Sequence, residues 1–94
     1  MSMQNTLKIY EKKSGYRFFF IRKELQPMFD NLGAFTLRCS DGTHYSKLEV
    51  CKSGKVLRYF IFANEFFKDH PKLGKHDEIV FSIDNVKRIV KIKL

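Results

Sequence analysis

Residues 12–23 read KKSGYRFFFIRK, and this stretch decides the fold. Gly15 can take the left-handed backbone that a tight turn needs. Arg17–Ile21 is aromatic and β-branched apart from its arginine, which favours a strand. A turn therefore separates an apolar strand at residues 7–10 from an aromatic strand at 17–21. The pattern returns at residues 51–60, CKSGKVLRYF, with Lys52-Ser53-Gly54-Lys55 as the turn and residues 56–62 as the next strand. One small chain thus carries Lys-Ser-Gly twice, each copy basic and each ahead of an aromatic run.

Working outward, Phe35–Cys39 alternates, with Phe35, Leu37 and Cys39 on one face. Ser40-Asp41-Gly42-Thr43 is a turn signal. Residues 45–51 alternate again and predict one strand, with Leu48 and Val50 opposite Lys47, Glu49 and Cys51. Strands at 78–83 and 86–94 flank a turn at Asp84-Asn85. Two segments have helical character. Residues 23–32 place Leu25, Met28, Phe29 and Leu32 at helical spacing, with Gly33 as the stop and with Pro27 inside, a residue tolerated only within a first turn. Residues 64–70 start at Asn64 as N-cap, turn Phe66 and Phe67 inward and end at Pro71. Seven strands at short spacing with two short helices suggest a mostly β architecture, a small barrel with two capping helices.

The chain's 94 residues suit a single domain spanning 1–94, and a chain this short buries only about 60–65% of its unfolded surface, which disfavours a deep enzymatic cleft. No apolar run approaches the ~20 residues of a membrane helix, and residues 1–10 carry no signal-peptide pattern. An intracellular protein is therefore expected. Cys39 and Cys51 fit no zinc spacing and read as reduced thiols. The net charge of +8 points to a polyanionic partner. The charge is clustered: residues 8–23 hold six basic side chains against Glu11, and residues 47–58 hold four against Glu49.

Three longer stretches carry a resemblance. TLKIYEKKSGYRFFFIRKELQPMF, residues 6–29, has an apolar strand, a polar turn, a second strand and a helix. FTLRCSDGTHYSKLEV, residues 35–50, is a hairpin around Asp-x-Gly. FFKDHPKLGKHDEIVFSI, residues 66–83, carries Phe66 or Phe67, Lys68-Asp69, Leu73, Asp77 and Phe81 in order. Together they resemble the plant B3 DNA-binding domain, most closely the reproductive-meristem type, over nearly the whole chain. The chain departs from that family in lacking tryptophan, in having His76 where a glycine precedes the signature Asp77, and in one extra residue near Pro71.

The resemblance implies a seven-stranded open pseudobarrel with two short capping helices that grips the major groove of double-stranded DNA with two arms, in a transcription regulator that would act in the nucleus if the chain is a plant protein. It implies no cofactor. It places the first arm at Lys12, Lys13, Ser14, Gly15, Tyr16 and Arg17, and the second at Lys52, Ser53, Gly54 and Lys55. Glycine permits each turn, serine donates to phosphate and lysine neutralises it. Arg17 and Arg22 flank the aromatic strand and suit two-point contact with guanine. Lys23, Ser46 and Lys47 complete the candidate DNA-binding set. A recognition domain of a bacterial restriction enzyme, an RNA- or single-strand-binding barrel and a plain interaction module are the alternatives.

Competing chemistry is weaker. Phe18, Phe19 and Phe20 could stack on bases, but a barrel strand turns at least half of such rings inward, and the core reading is favoured. His44, His70 and His76 form no metal-binding pair. Asp77 reads as a turn or cap acid. Glu11-Lys12-Lys13 lacks the partner aspartate of a nuclease site. Ser53-Gly54-Lys55 lacks the earlier glycine of a phosphate loop, where Glu49 stands. No nucleophile–base–acid set emerges, so the chain reads as non-enzymatic, with no metal.

Overall fold

The computed structural model describes residues 5–55 and 57–94. Residues 1–4, part of the stretch read as lacking a signal peptide, and Val56, the expected first residue of its strand, lie outside the described residues. The strands are β1 (Thr6–Glu11), β2 (Arg17–Ile21), β3 (Phe35–Cys39), β4 (His44–Leu48), β5 (Val50–Ser53), β6 (Arg58–Ile61), β7 (Glu78–Asp84) and β8 (Ile89–Lys93). A 3-10 helix at Lys23–Phe29 follows β2, and helix α1 (Asn64–Asp69) follows β6.

All eight strands join one sheet in the order β4-β3-β8-β7-β1-β2-β6-β5. Neighbours are antiparallel except β3 and β8, which run parallel. The sheet curls into a nearly closed, mostly β barrel. Its two edge strands, β4 and β5, are consecutive in sequence with only Glu49 between them. The chain itself therefore ties one edge to the other.

The strand count follows from that crossing. The continuous strand expected over residues 45–51 is divided, because Leu48 pairs with Phe35 at one edge while Val50 pairs with Ile61 at the other. The β3–β4 register shifts between Phe35 and Leu37, and Lys47 takes a φ of 62°. A bulge of this kind bends the strand out of one ladder and into another.

Inside lie Leu7 and Ile9 of β1, Phe19 and Ile21 of β2, Leu37 of β3, Tyr59 and Ile61 of β6, and Val90 and Ile92 of β8. The helices close the barrel. Phe66 and Phe67 of α1 meet the Phe19 ring at 5.2 and 4.9 Å between centroids. Leu25 and Phe29 are buried from the 3-10 helix, with Phe29 5.4 Å from Phe81.

Both helices differ from expectation in detail. Residues 23–32 predicted an α-helix, but the chain makes bonds between residues three apart: Leu25 N–H donates to Arg22 O at 2.9 Å and Asp30 N–H to Pro27 O at 3.4 Å. Pro27 has no N–H to bond four residues back, and its ring crowds the carbonyl there. In α1 the N-cap position is Ala63 with no side-chain cap. Asn64 Oδ1 instead accepts the Tyr16 hydroxyl at 2.7 Å.

Asp77 does serve a turn, since its Oδ2 accepts Gly74 N–H at 2.9 Å. Cys39 is buried and Cys51 exposed, both as free thiols. Among the described residues no helix is long and apolar enough to cross a membrane.

Candidate nucleic-acid interface

The first Lys-Ser-Gly copy closes the β1–β2 hairpin. Gly15 N–H donates to Lys12 O at 2.8 Å, Lys12 N–H donates to Tyr16 O at 2.8 Å, and Gly15 has φ 89°. This is a tight turn followed by a left-handed glycine, a common three-residue hairpin loop. Lys13 and Ser14 are exposed at its tip. The second copy closes β5–β6, where Ser53 pairs with Arg58 and Gly54 also has φ 89°. Lys55 is exposed beyond it.

Strand direction separates the turns. Glu11 pairs with Arg17 beside the first turn, whereas Ile21 pairs with Tyr59 beside the second. The two turns therefore sit at opposite ends of β2, a strand that spans roughly 17 Å at 3.3–3.4 Å per residue.

The face between them points away from the core. The registers Lys8↔Phe20, Phe20↔Phe60 and Cys51↔Phe60 form one outward row. Tyr10↔Phe18 belongs to the next row, where Phe62 lies 5.5 Å from Phe18. Ser53↔Arg58 forms the row toward the second turn. The rings touch one another: Tyr10 stacks on Phe18 at 6.0 Å and meets Phe20 at 5.3 Å, and Phe18 meets Phe60 edge-on at 5.3 Å. The outward positions of β1, β2, β6 and β5 carry no carboxylate. Glu78 borders the face, on β7 opposite Lys8, and accepts the Thr6 hydroxyl at 3.2 Å.

The structure divides the residues singled out from the sequence. Lys12, Tyr16, Ser53 and Lys55 lie on or beside the outward face. Lys12 Nζ hangs 5.7 Å from the Tyr16 ring centroid and 6.0 Å from that of Phe18. Tyr16 leans on Phe18 and Phe62, and its hydroxyl bond to Asn64 pins the first turn to α1. Lys55, Ser53 and Arg58 line a shallow hollow against Phe60.

Of the others, Arg17 and Lys52 are engaged by groups of the protein itself. Arg17 lies at an inward position, and its guanidinium donates to Phe67 O at 2.7 Å, to His70 O at 3.1 Å and to Leu73 O. It also covers the Phe67 ring at 5.3 Å. Its fork is thus spent on carbonyls at the C-terminus of α1 and the loop beyond, where a cation is favoured. Lys52 pairs with Asp30 at 3.7 Å and lies 4.9 Å from the Tyr59 ring. Arg22 is half-buried at the N-cap of the 3-10 helix, and Lys23 opens that helix. Ser46 and Lys47 are exposed on the β4 bulge at the sheet's other edge.

Lys8, Tyr10, Phe20, Arg58 and Phe60, none of them in the candidate DNA-binding set, also lie on this face. Alternation within residues 58–62 already sets Arg58, Phe60 and Phe62 on one face. Of Phe18-Phe19-Phe20, Phe19 belongs to the central core and Phe18 is also buried, in keeping with a core role for at least half of the run, while Phe18 and Phe20 take the outward positions of β2.

A polar cluster braces the barrel away from this face. Asp41 Oδ2 and the His70 imidazole lie 2.8 Å apart. Bonds from the Thr43 hydroxyl, His70 and Thr43 N–H hold the Asp41 carboxyl down at about 2. Burial alone would lower the His70 pKa, but bonds to Asp41 and Phe66 O outweigh it and raise the value. Tyr45 donates to Asp69 at 2.7 Å, and burial followed by that bond pushes its phenol up to about 12. Among the described residues no three His, Cys, Asp or Glu side chains gather as a metal site.

Comparison with known proteins yields no matching family model, curated relative or solved structure.

Proposed function

We propose that this domain binds double-stranded DNA across the outward face of β1, β2, β6 and β5. The observation that carries the reading is the pair of exposed Lys-Ser-Gly turns at opposite ends of a basic face whose outward positions hold no carboxylate. Lys13 and Lys55 take phosphates at the two ends, with Lys8 and Lys12 between. The resemblance to B3 domains supports the same use of the two turns and a role in transcription regulation.

A different arginine takes the base-reading role. Arg17 is committed to carbonyls, whereas Arg58 stands on the outward face beside the second turn. Arg58 is the side chain placed to meet a guanine edge with two parallel bonds.

Selection from random duplex DNA tests this reading. An enriched sequence should emerge, and Arg58→Ala should relax preference at one position, at about 1–3 kcal/mol on the selected site and little on scrambled DNA. Failure to enrich any sequence would remove specificity from the proposal.

A further inference from the structure

We propose that the outward aromatic rows stack against unpaired bases, so that the preferred ligand is DNA in which one or a few bases have left the helical stack. This rests on the nucleic-acid reading above and adds what the middle of the face does.

The rings ask for an explanation. Tyr10, Tyr16 and Phe62 are 47, 36 and 39% exposed, on the side of the sheet away from the core. They adjoin Phe18, Phe20 and Phe60 in one continuous patch. A contiguous apolar patch on a small domain marks something that covers it. A second copy of this chain is a poor occupant. A two-fold interface brings the same patch from both partners together. Here that would set Lys8, Lys12, Lys55 and Arg58 against themselves, and like charges across an interface cost affinity.

A polyanion with flat apolar groups fits both features. Cations at the rim meet phosphates while the rings meet bases. In an intact duplex each base hides its faces against its neighbours and offers only its edges in the grooves. Aromatic side chains gain from the faces. Bases outside a stack offer them, and each such contact is sequence-tolerant because every base has a π-face. The hollows support this placement. One is lined by Tyr10, Phe18, Phe20, Arg58 and Phe60, and another by Lys12, Phe18, Cys51, Ser53, Phe60 and Phe62. Each joins aromatic walls to a cation.

The test uses three DNA probes of one sequence: a perfect duplex, the same duplex with a single unpaired 2-aminopurine, and the single strand carrying 2-aminopurine. Fluorescence of that base reports its stacking. The bulged duplex should bind about 5- to 160-fold tighter than the perfect one, the range of one base–aromatic contact, and its emission should change on binding. Phe62→Ala and Tyr10→Ala should each reduce that preference, while Tyr10→Phe, which keeps the ring, should retain it. Unchanged circular dichroism shows that the variants are folded. Equal affinity for bulged and perfect duplexes, with unchanged emission, would overturn stacking and leave duplex binding standing. Ring-dependent binding of the single strand as tight as that of the bulge would support stacking and overturn the duplex reading. Salt-insensitive or absent binding of all three would overturn both.

Discussion

Replacing Arg17 should damage the fold far more than DNA binding. Its guanidinium satisfies three carbonyls, those of Phe67, His70 and Leu73, and lies over the Phe67 ring. Hydrogen bonds to a charged partner contribute about 1.5–3 kcal/mol each when considered singly. They share one side chain, so they do not add in full. Arg17→Ala should then cost about 3 kcal/mol. For a domain of this length that corresponds to a fall in Tm of roughly 12–24 °C. Arg17→Lys keeps a charge but not the fork, and should recover less than half of the loss. The assay is thermal and urea unfolding followed by circular dichroism, with duplex affinity measured well below the variant's Tm. Affinity per folded molecule should stay within about twofold. A variant that melts within a few degrees of the parent but loses its preferred site would refute the capping role. It would return Arg17 to the DNA face.

Two further outcomes follow from single residues. His76 holds φ 76°, a left-handed backbone that costs a non-glycine residue about 1–2 kcal/mol, so His76→Gly should raise Tm by several degrees after the entropy of the added glycine is set against it; an unchanged or lowered Tm would contradict this. The Asp41–His70 pair sets a pH window. Asp41 is depressed to about 2, so its contribution is present above its unfolded value near 3.9 and is lost as pH falls toward 2. His70 is raised, so its contribution is present below its unfolded value near 6.5 and is lost as pH rises through the raised folded value. Tm should therefore be greatest between roughly pH 4 and 6.5. His70→Gln should flatten the decline above that range, and an equally steep decline in the variant would exclude His70 as its source.

The sequence showed the hairpins plainly because their signals are local. Gly15 and Gly54 announce turns, and the alternation of Phe35–Cys39 reveals a half-buried strand. The break at Glu49 was hidden, since residues 45–51 alternate without a glycine or proline to mark the crossing. Whether Val50 joins β4's ladder or pairs with Ile61 depends on distant partners. The carbonyl contacts of Arg17 were hidden for a similar reason: its acceptors lie 50 or more residues away. The 3-10 form of the first helix was not legible, because helical spacing of apolar residues looks alike in both helix types over two turns. The outward aromatic patch was obscured because Phe18-Phe19-Phe20 is apolar throughout. Only the pairing of Phe19 with Ile9 and Ile61 shows which ring turns inward.

Duplex affinity as a function of salt is the most direct test of the central claim. Lys8, Lys12, Lys13 and Lys55 lie on the outward face or at its ends, so about four phosphates should be neutralised, with Arg58 reading a base. The plot of log affinity against log salt should have a slope of about −3.5. Lys13→Ala and Lys55→Ala, at exposed turn positions away from the core, should each reduce its magnitude by about one while changing stability by less than about 0.5 kcal/mol. A slope near zero, or a steep slope unaltered in both folded variants, would contradict phosphate binding by the two Lys-Ser-Gly turns.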